Sequence, residues 1–166
     1  LVEAPKHYDT FGTEWLMTRE AEVRFFRALC YFQLIRLYGG VVLRTEEGGL
    51  DQGFVEENNP NDANDKPRST EKKSWALVLS DLNFAAQNLP SSWEKEQSGR
   101  LTKAGAYGYL SRAALWAGEW KAAADAADSC AKYGGALASS YDKVFSDRSS
   151  IENIITVTFS SSGQTG

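Results

Sequence analysis

The residues able to do chemistry are few. One histidine, His7, and two cysteines, Cys30 and Cys130, are all the imidazole and thiol the chain has. Structural zinc wants about four such ligands, so no His/Cys metal cluster can be assembled. A Ser or Cys nucleophile needs a base within hydrogen-bond reach. His7 lies in a frayed N-terminal stretch, Lys6-His7-Tyr8-Asp9, and reads as a solvated surface residue. Cys30 falls inside the most apolar stretch and Cys130 ends an alanine-rich one. Both read as buried free thiols, because unmodified Cys packs as a small hydrophobe. A Cys30–Cys130 disulfide in an envelope compartment stays open as the alternative.

The adjacent acids Glu46-Glu47 and Glu56-Glu57 could serve a glycosidase as a carboxylate pair. Neighbouring acids in a polar stretch more commonly are solvated charge. Asn61-Asp62-Ala63-Asn64-Asp65 faintly suggests calcium, but it lacks the Asp start, the glycine and the closing Glu of an EF-hand loop. No catalytic residue, metal ligand or cofactor site is assigned. Five tryptophans remain. An indole face matches the apolar face of a pyranose ring, so each could stack on sugar. Trp75, Trp116 and Trp120 sit at helix-packing spacings and are assigned to the core. Trp93, in Ser91-Ser92-Trp93-Glu94-Lys95-Glu96, and Trp15, at the start of the first helix, have polar surroundings. These two are the candidate glycan contacts.

The elements that must position them are mostly helical. A first helix is expected over about 13–38. Its polar stripe is narrow, which predicts burial on more than one side. Gly39-Gly40 ends it, and Val41-Val42-Leu43 is strand-like at most. Residues 45–68 carry seven acids against two bases, a charge of −5 in a chain whose net charge is −4. This span reads as a long acidic surface loop. The second helix, about 70–89, places Trp75, Val78, Leu79, Leu82, Ala85, Ala86 and Leu89 at three- and four-residue spacing. Ser69 or Thr70 offers the N-cap oxygen, and Glu71 suits the positive end of the dipole. A third helix over 102–117 and a fourth over 120–132 are parted by Gly118. Residues 151–159, with their β-branched side chains, read as a strand. The fold class is mainly all-α, one domain over 1–166, with a minor short-strand element. Phe25, Leu29, Phe32, Trp75, Leu82, Leu110 and Trp120 are the expected core.

A pI near 5.1 argues against nucleic acid as a partner, since phosphate binding needs clustered Lys and Arg. No run of about 18 apolar residues exists to span a membrane. The chain starts at Leu1 with no initiator Met and ends in a polar tail, so both ends read as cuts in a longer chain.

Small residues dominate the third and fourth helices, and Trp116-Ala117-Gly118-Glu119-Trp120-Lys121-Ala122-Ala123 looks like a tetratricopeptide (TPR) hairpin. Four segments then resemble the TPR-containing part of the SusD/RagB family of outer-membrane nutrient-binding lipoproteins. They are Ala21 to Ala28 with Tyr31 to Val41; Pro67 to Thr70 with Leu79 to Leu82 and Leu89-Pro90; Gly99 to Ala106 with Leu110 to Ala113; and Tyr141, Phe145 and Glu152 to Ile155. The resemblance covers about residues 20–160. It implies a SusD-like α-α superhelix and a non-catalytic protein that binds oligosaccharide at the cell surface. It also implies a lipid anchor outside these residues and a SusC-type TonB-dependent transporter as partner. Family members are several times longer than one TPR pair, and no family binding residue can be carried onto this sequence. The alternative is a TPR-like scaffold that binds a protein or peptide.

Overall fold

The computed structural model describes residues 11–45, 68–97, 99–134, 137–146 and 152–155. His7, the acid pairs and the weak calcium motif lie outside them.

Helix α1 (Thr13–Tyr38) buries one stripe, Ala21, Phe25, Ala28, Phe32 and Ile35, at the three- and four-residue spacing of a single helical face. Gly39 stops it with a φ of 69°, a left-handed value that Gly adopts without Cβ strain. Gly40 is required for a different reason. A Cβ there would run into the Ser69 carbonyl oxygen, where the chain returns toward the next helix. Ser69 N–H donates to the Val41 carbonyl at 2.9 Å, and Arg68 Nε donates to the Gly40 carbonyl at 2.7 Å.

Helix α2 (Glu71–Asn88) starts at Thr70, whose hydroxyl accepts from Lys73 N–H. It buries Ser74, Trp75, Val78, Asp81, Leu82, Ala85 and Ala86. A 3-10 turn, Lys95–Gln97, intervenes before α3 (Lys103–Ala117), where Thr102 caps by accepting from Gly105 N–H. Gly118, at φ 78°, reverses the chain into α4 (Trp120–Tyr133). Ser111 Oγ donates to the Ala123 carbonyl at 2.8 Å, and a Cβ on Gly108 would lie 3.4 Å from Cys130 Sγ. These pairings run in opposite order along the two helices, so α3 and α4 form an antiparallel hairpin. The small residues supply its close approach. A short α5, Tyr141–Ser146, follows.

The helices stack in chain order, α1 on α2, α2 on α3 and α3 on α4. Their shared core joins Phe32 edge-to-face with Trp75 and Phe25 edge-to-face with Tyr109. Phe25, Phe32, Trp75 and Leu82 are buried, while Leu29 and Leu110 are partly buried against this core.

Several expectations are corrected. Trp120 is 68% exposed and Trp116 52% exposed, because the stack ends at α4 and nothing among the described residues covers this corner. The second apolar stripe of α1, Val23, Phe26, Leu34 and Leu37, is exposed, so α1 is buried on one side only. Cys30 lies on that stripe and is exposed, whereas Cys130 is buried; both thiols are free. Of the strand expected over 151–159, only residues 152–155 are described, and they form a turn and a bend. This segment is held by Ile155, which crosses α3 so closely that a Cβ on Gly105 would meet its side chain at 2.7 Å.

Candidate functional site

The two tryptophans singled out as ligand contacts meet around one arginine. Trp15 lies in the first turn of α1, 44% exposed, with Phe11 stacked on its ring at 4.3 Å between centroids. One turn on, the Arg19 guanidinium lies 5.4 Å from the Trp15 ring centroid and 5.6 Å from that of Trp93. Trp93 itself belongs to the loop between α2 and the 3-10 turn. Its indole N–H donates to the Leu101 carbonyl at 2.6 Å, so the side chain ties both ends of its own loop.

Charge completes the cluster. Arg100 lays its guanidinium 4.0 Å from the Trp93 centroid and forks onto Glu22, Nε to Oε1 at 2.9 Å and Nη2 to Oε2 at 2.5 Å. Arg19 Nη1 donates to the same Oε2 at 2.7 Å. Partial burial pushes the Glu22 carboxyl above its ordinary value, and the positive charge of Arg19 pulls it back. Arg19 Nε is buried and has no hydrogen-bond acceptor among the described residues.

The arrangement is a stack of rings and cations: Phe11, Trp15, Arg19, Trp93, Arg100. Phe11 and Arg19 both pack on the Trp15 ring, and its remaining 44% exposure is what it can offer a ligand. Trp93 is more committed, because it is less exposed and its N–H is spent on the backbone. Such contacts stabilise by about 0.5–2 kcal/mol each, depending on solvent exposure. Nothing in this cluster resembles a nucleophile with its base. Among the described residues no group of three His, Cys, Asp or Glu could hold a metal ion. No helix there is long and apolar enough to cross a membrane.

Sequence reasoning picked Trp15 and Trp93 but missed Arg19, Glu22 and Arg100. Arg19–Glu22 is an ordinary helical spacing that could have been read. The Arg100–Glu22 pair spans 78 residues and left no local signal.

A family model described as "Starch-binding associating with outer membrane", of the SusD-like group, matches residues 7–115. A SusD-like protein of Bacteroides ovatus is 30% identical over 100 residues, which is 60% of this chain and 16% of the relative. Among solved structures, a laminarin-binding SusD-like protein superposes with a TM-score of 0.69 at 25% identity, over 87% of this chain and 31% of that one. A structure with xylogluco-oligosaccharide superposes with a TM-score of 0.60 at 25% identity, over 84% and 28%. This chain therefore spans less than a third of each of these proteins. The family model covers more than half of the chain, including α1, α2 and nearly all of α3, and on that match the chain belongs to the SusD/RagB family.

Proposed function

We propose that the chain is part of a non-catalytic glycan-binding protein at the outer-membrane surface, which passes oligosaccharide to a SusC-type TonB-dependent transporter. A lipid anchor beyond these residues would hold it there. The observation that carries the proposal is family membership: the matching model is described as starch-binding and outer-membrane-associated, and similar solved structures include a laminarin-binding protein and one with xylogluco-oligosaccharide. Within this chain, Trp15 and Trp93 are the proposed sugar contacts. Trp15 is the more exposed of the two.

The test has two arms. Calorimetry against laminarin, xyloglucan and starch oligosaccharides is run on residues 1–166 and on a longer protein containing them. Pull-down from outer-membrane extracts then asks for the transporter. Weak glycan binding by 1–166 and tighter binding by the longer protein is the expected pattern, since sugar sites need several groups held on one frame. Glycoside turnover would restore an enzyme. Peptide binding without glycan binding would move the assignment to a TPR-like scaffold.

A further inference from the structure

The opposite end of the stack holds a site that the Trp15–Trp93 cluster does not touch. The N-terminal turns of α2 and the α3–α4 corner enclose a groove of about 460 Å3, lined by Trp75, Leu79 and Trp116 and rimmed by Glu71, Lys72 and Glu119. Clefts that hold small ligands begin at about 300 Å3. Trp116 is half exposed here, at the open end of the stack. Its ring is held in place. The Arg36 guanidinium lies 4.6 Å from its centroid, and the same cation reaches the buried Phe32 at 5.4 Å.

The polar rim is also prepared. Trp75 N–H donates to Glu71 Oε1 at 3.2 Å, which fixes the carboxylate at the groove edge and leaves Oε2 without a hydrogen bond among the described residues. Glu119 precedes α4 but makes no side-chain cap bond, so its carboxylate is also unspent. An indole platform with two hydroxyl acceptors and one ammonium suits a ring that is apolar on its face and hydroxylated at its edge. Glu71 and Glu119 are balanced by Lys72 and by the Arg36 guanidinium on the Trp116 ring, so a ligand that brings its own carboxylate or sulfate gains no net attraction here.

We propose that this groove is a second sugar subsite, selective for a neutral pyranose that stacks on Trp116 and donates hydroxyls to Glu71 and Glu119. The proposal rests on the glycan-binding function above and adds its location and charge class.

The five tryptophans give five indole N–H signals in a 15N-labelled sample of residues 1–166, assigned by replacing each tryptophan in turn with Phe. The probes are laminari- and xylogluco-oligosaccharides as neutral sugars and oligogalacturonate as the acidic one. The Trp116 and Trp75 signals should move with the neutral sugars and stay still with oligogalacturonate. Trp116→Ala should weaken the neutral titration by about tenfold or more, as loss of a binding hot spot does. Glu119→Gln, at an exposed position that does not threaten folding, should weaken it less. Shifts confined to Trp15 or Trp93 would overturn this subsite and leave glycan binding standing. So would still spectra at every sugar while the longer protein binds glycan. Still spectra with no glycan binding by the longer protein would remove both. Equal response to oligogalacturonate, or a response only to a basic peptide, would refute the neutral-sugar assignment.

Discussion

Arg27 of α1 forks onto Asp81 of α2, Nε to Oδ2 and Nη2 to Oδ1, both at 2.7 Å. Asp81 is 1% exposed, so its charge is kept at the centre of the α1–α2 contact only because a planar guanidinium satisfies both oxygens. Arg24 adds a longer contact at 3.8 Å. The pair fixes how far α1 can slide or rotate on α2, and with it the positions of Trp15 and Arg19 one helix end away.

Removing either partner should therefore cost unequally. Arg27→Met strands a fully buried carboxylate with only the distant Arg24 and should destabilise by about 3–5 kcal/mol. Asp81→Leu takes the carboxylate from an arginine whose side chain is one-fifth exposed and can turn to water, so it should cost less. The double variant Arg27→Met/Asp81→Leu should recover most of the loss. Urea unfolding followed by circular dichroism measures all three. Two single variants of equal, small effect would show that the pair is dispensable.

Two glycines should fail for different reasons. Gly118→Ala meets no atom within 4 Å but must hold φ at 78°, and it should cost about 1 kcal/mol, much of it recovered by Gly118→Asn. Gly40→Ala drives a methyl into the Ser69 carbonyl, so the backbone must move and the Ser69–Val41 bond is lost. Its cost should exceed that of Gly118→Ala, and Gly40→Asn should not rescue it. Thermal unfolding of the four variants separates steric from conformational cause. Rescue at both positions would refute the steric account of Gly40.

The cysteines should separate by reactivity. Cys30 is exposed on α1, and Cys130 is buried under α3, where burial pushes its thiol above the ordinary cysteine range. A raised pKa keeps Cys130 protonated in the fold where the unfolded chain would already ionise. Stability from this group is thus full below about pH 9 and declines as pH rises beyond it. Thiol titration of the native protein should consume one equivalent quickly and the second only with unfolding. The second rate should stay low as pH is raised through 9. Two fast equivalents would place Cys130 at the surface.

The helices were legible because each signal is local. Threonines precede α2 and α3 at capping distance, glycines follow α1 and α3, and Val78, Leu82 and Ala85 repeat at helical spacing. What spacing cannot reveal is which apolar face acquires a neighbour. Helix α1 offers Ala21, Phe25, Ala28, Phe32 on one side and Val23, Phe26, Leu34, Leu37 on another, and only the first meets α2. Trp116 and Trp120 carry the same ambiguity at the far end of the stack. Asp81 carries no local sign of burial, since its partner lies 54 residues away. The site was half legible for the same reason. Exposed aromatics show in the neighbouring residue types, whereas the Arg100–Glu22 fork exists only once α1 and the loop before α3 are side by side.

Trp93 lets a structural role be told from a binding role. Its N–H bond to Leu101 and its stack under Arg100 both act within the fold, so Trp93→Phe should keep the stack, lose the hydrogen bond and cost about 1 kcal/mol. Trp93→Ala loses both and opens a gap beside Arg100, and about 2–3 kcal/mol is expected, below the cost of truncating a fully buried ring. Trp15→Ala removes a more exposed ring whose contacts are Phe11 and one side of Arg19, and it should cost under about 1 kcal/mol. Glycan affinity should rank the other way, with Trp15→Ala losing the more binding per unit of stability lost. Chemical denaturation and a glycan titration on the same three samples decide the matter. If Trp93→Ala abolishes binding while leaving stability within about 0.5 kcal/mol of the parent, the indole is a ligand contact and its packing against Arg100 is incidental.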